Sequence, residues 1–287
     1  MNKAPVNWLY LTLAFSFLFP WMSTRSASPD TSNQGNTVYI PIIMSHSLEM
    51  VYIGAGEFWM GCNVGPCFFG SDLRHAVYLS EYFIDRYEIT NAQYASCVSA
   101  GYCAEPAATG SHTRFSYYDH PAYAEYPVFH TAWSDAQDYC QWIGKRLPTE
   151  AEWEKAAQGG NLRKEYIYPW GNEEAVCDIG APNGAHYSDC SPADSLQVGS
   201  FRPSILGLYD MAGNVWEWVS DWYDLSYYSN SPYYNPEGPE NGTDKVIRGG
   251  SWNYMSIGGL RTFDRNFRDP NTALGNHDVG FRCVLIP

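Results

Sequence analysis

Apolar residues recur at helical spacing in three short stretches, each preceded by a residue that favours a helix N-terminus. The three predicted caps are Thr90, Ser134 and Thr149. Glu152 follows the third cap at the spacing of a capping box, in which two side chains and two backbone amides satisfy one another. The sequence therefore predicts three short helices. Their apolar faces comprise Tyr94, Cys97 and Val98, then Ala136, Tyr139, Cys140 and Ile143, and finally Trp153, Ala156 and Ala157.

Short apolar runs elsewhere have the length of β-strands. They cover 51–53, 77–79 and 281–286, and the first and last are flanked by Gly or Pro. The rest of the chain is rich in Gly (25), Pro (18), Trp (11) and Tyr (23). This composition favours long ordered loops held by aromatic packing over repetitive secondary structure. We expect an irregular α+β fold with little regular secondary structure.

The amino-terminal segment has a different pattern. Lys3 precedes an apolar run that ends at Met22, and small residues follow up to Ser28. This is the layout of a secretory signal peptide, and the run is short for a membrane span. We expect a signal peptide at 1–28, a polar linker at 29–47 and one folded domain at 48–287. The mature protein would then be secreted or extracytoplasmic, without a membrane span; an uncleaved anchor is the alternative.

The net charge of the chain limits the classes of partner that it is expected to bind. Lys and Arg number 17 against 31 Asp and Glu, which gives a formal net charge of -14. Such a chain is repelled by phosphate backbones and by anionic membrane surfaces, so nucleic acid is not expected as a partner. The excess of carboxylates suits divalent cations, which prefer hard oxygen ligands.

The eight cysteines form an even set in a chain expected to be exported, which favours disulfides over metal thiolates. Six of them are close neighbours along the chain, and they leave Cys140 and Cys283 as a long-range pair. This pairing is one among roughly a hundred that eight cysteines allow. The neighbouring pairs are Cys62 with Cys67, Cys97 with Cys103, and Cys177 with Cys190.

A series of ordered segments resembles the formylglycine-generating enzyme family, also called sulfatase-modifying factors. The segments extend over nearly everything after residue 48, and their number and order leave little room for chance. They are GEFWMG at 56–61, FIDRYEITNAQYASCV at 83–98, YPVFHTAWSDAQDYCQWIGKRLPTEAEWEKAAQGG at 126–160, YPWGNE at 168–173, GLYDMAGNVWEWVSDWY at 207–223, RGGSW at 248–252 and VGFRC at 279–283.

The resemblance implies a variant of the C-type-lectin fold and supports a disulfide between Cys140 and Cys283, which stand where the family has its long-range bridge. It also implies a structural calcium ion. The family's ligands fall on the side chains of Asp210 and Glu217 and on the backbone carbonyls of Gly213 and Val215; these are hard oxygen donors. Hydrogen bonding to loop amides is the alternative role for the two carboxylates. A second ion is expected near Asn183 and Asp189.

Family members that make formylglycine oxidise a cysteine of a sulfatase with molecular oxygen and a copper(I) ion held by two cysteines. Counted from the GGS segment, these two positions are Tyr254 and Gly259 here, and 252–282 contains no cysteine. Soft thiolates are the ligands that copper(I) requires, so we expect no copper site of the family type. Other residues match the family's pocket, or else serve as scaffold: Trp216, Ser251, Trp252 and Arg261.

The seven histidines show no metal-binding spacing such as HxH or HxxxH, so no iron or zinc triad is visible in place of copper. We therefore interpret the chain as a binding or accessory module whose ligand face is formed by 253–277. The ligand would be a protein, peptide or glycan. One alternative is an enzyme of the family that modifies a sulfatase or another exported protein through a non-standard site. A lectin that binds sugar directly through calcium is another.

Overall fold

The computed structural model describes residues 49–62, 67, 73–160, 166–254 and 257–287. The predicted signal peptide at 1–28 and linker at 29–47 lie outside these residues. The described residues all belong to one compact unit, Ile43–Pro287. None of the described helices is long and apolar enough to cross a membrane.

Three α-helices occupy the three predicted places. They are α1 (Asn91–Ser99), α2 (Trp133–Trp142) and α3 (Glu150–Ala157). Thr90 caps α1 and Thr149 caps α3, each within a complete capping box. The prediction of Ser134 as the cap of α2 is wrong, because α2 begins at Trp133 and its N-cap residue is Ala132. The amide of Ala132 donates instead to the Asp135 carboxylate (2.7 Å). Short 3-10 helices cover Pro121–Tyr123, Tyr227–Ser229 and Ile257–Leu260.

Nine strands in the described part of the chain form three small sheets. The predicted strand at 281–286 is divided between two sheets, since β8 ends at Phe281 and β9 begins at Val284. The order is β1-β4-β9 in the first sheet, β2-β3 in the second and β7-β6-β5-β8 in the third, where only the pair β5 and β8 is parallel. The strands are β1 (Met50–Ile53), β2 (Gly56–Met60), β3 (His75–Leu79), β4 (Tyr82–Asp85), β5 (Trp216–Trp222), β6 (Lys245–Arg248), β7 (Arg265–Arg268), β8 (Val279–Phe281) and β9 (Val284–Leu285).

Four disulfides link all eight cysteines, as the sequence predicted. The long-range bridge joins Cys140 of α2 to Cys283, 143 residues apart. The other three join Cys62 to Cys67, Cys97 to Cys103, and Cys177 to Cys190. Closing so long a loop restricts the unfolded chain, which stabilises the fold by about 4–5 kcal/mol in the chain-entropy account. It also ties α2 to the segment between β8 and β9.

Buried ion pairs hold α3 against the third sheet. Glu150 accepts from Arg248 of β6 (3.3 Å) and from Arg265 of β7 (2.7 Å). Glu154 accepts from the same Arg248 at 2.6 Å. All four side chains are almost fully buried, so each charge depends on its partners in place of water. This network fixes the position of α3, whose Trp153 reaches towards β5.

Candidate functional site

Strand β5 organises the candidate site because its consecutive side chains point to opposite faces of the sheet. Trp216 packs in an apolar cluster that includes Trp218. Glu217, between them, faces the other way and accepts a hydrogen bond from Trp153 Nε1 (2.8 Å). The third sheet therefore separates an aromatic side, where the copper cysteines of the family would lie, from a charged side, where its calcium would lie.

On the aromatic side, the two positions that resemble the copper pair are in contact with each other. The ring of Tyr254 meets that of Trp216 edge-on, with centroids 5.0 Å apart and planes at 79°. A Cβ atom added to Gly259 would lie 2.5 Å from the Cδ1 and Cε1 atoms of Tyr254, closer than side chains pack. Gly259 is not among the residues with positive φ, so lack of space, and not backbone conformation, favours glycine here. The tyrosine ring fills the volume of a side chain at position 259.

Of the other residues predicted for this pocket, Ser251 accepts a hydrogen bond from the Tyr254 amide (3.2 Å), and Trp252 packs in a separate apolar cluster. Ser251 is buried, and its Oγ donates to Asp278 (3.1 Å) and accepts from the amide of Asn253 (3.3 Å). The amide of Trp252 donates to Asn214 O (2.9 Å), and its ring is buried. Ser251 and Trp252 thus have structural partners, which is the scaffold role that the sequence left open for them.

Asp264 belongs to the predicted ligand face at 253–277, but the structure buries its side chain. Burial raises the pKa of its carboxyl to about 7, although Arg248 and Arg261 oppose that rise. Its charge in turn contributes to a raised pKa of the Tyr254 hydroxyl, for which burial is the main cause. Asp264 therefore interacts electrostatically with both Arg261 and Tyr254. Its carboxyl titrates near neutral pH.

On the charged side, Glu217 joins two further carboxylates that surround one guanidinium. We call Glu88, Asp210, Glu217 and Arg282 the acid cluster. Arg282 Nη2 and Nε donate to the two oxygens of Glu217, both at 2.7 Å. Asp210 accepts from the amide of Gly199 (2.6 Å). The cluster holds three acids against one base.

This imbalance of charge perturbs the acids. Burial raises the pKa of Glu88 well above its ordinary value, and the carboxylates of Asp210 and Glu217 raise it further. Burial likewise raises the pKa of Asp210 to about 6, with repulsion from Glu217 added. The guanidinium of Arg282 opposes both shifts. Glu88 and Asp210 therefore resist ionisation unless a further positive charge compensates them.

The backbone at the acid cluster adopts left-handed conformations at two of the predicted calcium ligands. Asp210 and Gly213 have positive φ values of 57° and 85°. The amide of Val215 donates to Glu88 Oε1 (3.2 Å), which brings this loop against the cluster. Across the described ranges, no group of three or more His, Cys, Asp or Glu side chains is arranged to hold a metal ion. A cation here would need further ligands besides these side chains, and the carbonyls of Gly213 and Val215 stay a prediction.

The candidates for a second calcium ion lie in the loop that the Cys177–Cys190 disulfide closes. Asn183 Nδ2 donates to the carbonyl of Glu174 (2.7 Å). Asp189 is exposed and accepts from the Ser188 hydroxyl (3.3 Å). The two side chains thus have separate hydrogen-bond partners, and a second site at these residues stays a prediction.

Three histidines from separate loops come together beside Trp252, although their sequence spacing gave no sign of it. The ring of His277 lies 5.9 Å from that of His112 and 6.3 Å from that of His130. The Trp252 ring contacts His112 (5.3 Å) and His277 (5.5 Å). Burial lowers the pKa of His130, and the neighbouring His277 lowers it further. Since these residues are far apart along the chain, only the fold reveals the cluster.

Glu88 and Arg282 are the other residues that the sequence analysis missed. Both lie inside segments that carried the family resemblance, in YEIT and in GFRC. The signal that could have identified them is their charge within otherwise apolar, buried segments, because a buried charge requires a partner.

Comparisons with known proteins agree with this architecture. The sulfatase-modifying factor enzyme 1-like domain matches residues 44–286. The formylglycine-generating enzyme of Streptomyces coelicolor is 33% identical over 282 residues, covering 82% of this chain and 88% of that protein. The inactive Cα-formylglycine-generating enzyme 2 of Bos taurus is 34% identical over 196 residues, covering 65% of this chain and 57% of that protein.

Among solved structures, variable protein 1 of Treponema denticola superposes with a TM-score of 0.68 at 26% identity, covering 83% of this chain and 95% of that one. The family match spans most of the chain, and its ordered segments are those that build β5, the acid cluster and the region of Tyr254. The chain therefore belongs to the sulfatase-modifying factor family, that is, the formylglycine-generating enzyme family.

Proposed function

We propose that this chain is a binding or accessory module built on the formylglycine-generating scaffold, and that it does not make formylglycine. The observation that carries the proposal is the Tyr254–Gly259 contact. The two positions that would supply thiolates hold a tyrosine ring and the glycine that accommodates it. All eight cysteines of the chain are in disulfides, so none is left to bind copper(I). The residues present do not fit the family's copper ion.

The ligand face in this proposal consists of the exposed and half-buried residues of 253–277, with a protein, peptide or glycan as ligand. Phe263, Asp264 and Arg265 of this segment are buried, and residues 255 and 256 lie outside the described residues. The face includes the half-buried Tyr254 and the partly exposed His277, with the more exposed Asn253 and His112 beside them. Asn253 Nδ2 lies 3.3 Å from His277 Nε2, so polar groups on two loops are already held together. Rigid aromatic rings next to adaptable polar groups suit recognition.

A calcium ion at the acid cluster is part of the same proposal, with a structural role. Asp210 and Glu217 would supply carboxylate oxygens, and Gly213 and Val215 would supply carbonyl oxygens. The donor set fits calcium, which prefers hard oxygen ligands. The supporting observation is the excess of carboxylates over Arg282, which a divalent cation would balance. The ion would lower the cost of burying these acids.

We also infer export to an oxidising compartment. Four disulfides in one domain are typical of secreted and extracytoplasmic proteins, because cytosolic thiols are kept reduced.

An assay for formylglycine formation tests the proposal. A sulfatase-type cysteine peptide is incubated with the protein, copper and reductant beside an active formylglycine-generating enzyme, and mass spectrometry detects the loss of about 18 Da that thiol-to-aldehyde conversion produces. The wild type should give no product. Turnover by the wild type would contradict the module and return the chain to the enzymes.

The variant Tyr254→Cys/Gly259→Cys places two thiolates in this pocket and removes the ring that obstructs position 259. We expect it to bind copper(I), measured by competition with a chromogenic chelator. Each single cysteine variant is the matched control and should bind far more weakly, since one thiolate lacks the second soft ligand. Equal copper binding by wild type and double variant would show that the metal site lies elsewhere.

A further inference from the structure

A cluster of exposed tyrosines lies on the second sheet, apart from the ligand face and from the acid cluster. We call Tyr78, Tyr233 and Tyr234 the tyrosine platform. Tyr234 is 66% exposed and Tyr233 is 39% exposed. Large aromatic side chains that are grouped at the surface indicate an interaction site more strongly than scattered ones do. The proposed function assigns no role to this surface.

The platform is built on the outward face of the β2–β3 hairpin. Tyr78 of β3 pairs with Glu57 of β2, so both side chains project from the same face. The alternate residues Phe58 and Val77 point inward and are buried in the core. The outward aromatic residues are therefore fixed by strands whose opposite face is anchored in the core.

A loop extends this hairpin and brings in the other two rings. The amide of Tyr78 donates to Tyr233 O (2.7 Å), and the amide of Asn235 donates to Tyr78 O (2.9 Å), as a third strand would. The Asn235 side chain accepts from the amide of Ser80 (2.8 Å). The loop thus adds Tyr233 and Tyr234 beside Tyr78, so the platform is preorganised by backbone hydrogen bonds.

The rings contact one another but leave much of their surface to solvent. The centroid of Tyr234 lies 5.3 Å from that of Tyr78 and 4.6 Å from that of Tyr233. The Tyr233 hydroxyl donates to Glu57 Oε2 (2.8 Å), which places a carboxylate at the platform's edge. Trp59, two residues along the same face of β2, is 46% exposed, with the Arg74 guanidinium 4.7 Å from its ring centroid. Apolar ring faces and polar edges therefore alternate across this surface.

This chemistry matches a sugar chain more closely than a protein or a membrane. One face of a pyranose ring presents C–H groups that pack on an aromatic ring, while its hydroxyls point to the rim and require hydrogen-bond partners. The platform offers both kinds of contact, through tyrosine faces and through Glu57. Three partly exposed tyrosine rings offer much less area than the roughly 800 Å² per partner that a stable protein interface buries. The net charge of -14 opposes anionic lipids and acidic polysaccharides.

We propose that the tyrosine platform binds a neutral polysaccharide, with Tyr234 as the principal stacking residue. The platform would act independently of the 253–277 face, because it is formed by a different sheet and loop. The protein would thereby be held on a glycan surface while its other face remains available. Rigid tyrosines suit this role since few rotatable bonds are immobilised on binding.

Binding of defined oligosaccharides by the full protein tests this proposal. Isothermal titration uses neutral hexasaccharides of the cellulose, xylan, mannan, starch and chitin series, and phosphatidylcholine vesicles with and without phosphatidylserine are the lipid arm. We expect at least one hexasaccharide to bind in the micromolar to millimolar range, and Tyr234→Ala to weaken it at least about tenfold.

Tyr102→Ala is the matched control, because Tyr102 is 68% exposed and does not belong to the platform. Its affinity should equal that of the wild type. The proposal is overturned if no hexasaccharide binds at millimolar concentration, if the two variants bind alike, or if vesicles bind and Tyr234→Ala abolishes that binding in place of sugar binding. Near-ultraviolet circular dichroism of both variants checks that the fold is unchanged.

Discussion

The two sides of β5 differ in what they retain from an enzyme scaffold. On the charged side, Glu217 and Arg282 form a buried pair with two matched hydrogen bonds. On the aromatic side, Trp216 remains in place, but the volume around it is filled by Tyr254 packed over Gly259. One face of the strand carries the residues that would bind a structural ion, and the other lacks the thiolates that would bind a catalytic one.

In this fold, the buried charged residues that stabilise the structure are therefore distinct from the positions that would bind a catalytic metal. Loss of Arg282 or Glu217 would leave the other buried charge without its partner, so these two residues depend on each other. The aromatic side can accept a different pair of side chains if their combined volume is conserved, because tightly packed interiors tolerate volume-conserving changes best. Loss of the thiolates at Tyr254 and Gly259 therefore need not disturb the acid cluster.

The largest expected effect comes from breaking the charged side. Arg282→Met removes the only guanidinium that faces Glu217, Asp210 and Glu88 within the acid cluster, so the acids lose their compensating charge. We expect the free energy of unfolding to fall by about 3–5 kcal/mol, measured by urea denaturation. Arg202→Met, at an exposed arginine, is the control and should change stability by less than about 0.5 kcal/mol. Similar losses in both variants would show that burial of Arg282 is not the cause.

Calcium removal probes the same side more gently. An ion that binds only the folded state stabilises it by about 2.7 kcal/mol at roughly a hundredfold excess over its dissociation constant. Chelation should therefore lower the melting temperature of the wild type but leave Asp210→Asn unaffected. Glu240→Gln, at an exposed acid, should keep the full response. An unchanged wild-type melting curve, after elemental analysis proves calcium removal, would rule out the site.

The aromatic side is tested by adding one methyl group. Gly259→Ala places a Cβ against the Tyr254 ring, and we expect a loss of about 1–3 kcal/mol from overpacking. In a Tyr254→Ala background the same substitution should cost less than about 0.5 kcal/mol, because the obstructing ring is gone. A double-mutant cycle by urea unfolding gives the coupling energy. Additive losses would mean that the two positions do not compete for space.

The smallest effect concerns pH and the histidines beside Trp252. The pKa of His130 is lowered by burial and by His277, against the opposing carboxylate of Asp278. Below about pH 6.5 the unfolded chain takes up this proton more readily than the folded chain, so stability falls as pH drops through that range, by about 1.4 kcal/mol per pH unit at most for one group. His130→Asn should reduce the difference in melting temperature between pH 7.5 and pH 5.5.

Asparagine is the suitable replacement because residue 130 has a φ of 61°, a left-handed conformation that Asn tolerates. His120→Asn, at an exposed histidine, should keep the wild-type pH response. An unaltered response in His130→Asn would mean that other groups set the acid sensitivity.

Features that depend on local or covalent chemistry could be predicted from the order of the residues. The caps at Thr90 and Thr149 follow from hydrogen bonds within one helical turn. The pairing of Cys140 with Cys283 came from counting cysteines and from the resemblance, and the absence of thiols at Tyr254 and Gly259 is a matter of residue identity. The caps and the missing thiols require no knowledge of which distant segments meet, and for the disulfide the family resemblance supplied that knowledge.

Contacts between distant segments became visible only in the folded chain. The Val215 amide donates to Glu88 across 127 residues, and this contact brings the loop before β5 against the three carboxylates of the acid cluster. His112, His130 and His277 lie close together although their spacing in the sequence gave no sign of it. The Tyr254 ring fills the space beside Gly259. The periodicity of apolar residues predicts which face of a helix or strand is buried, but not which residues that face contacts. Charge balance and packing volume at these sites are set by partners that only the folded chain brings together.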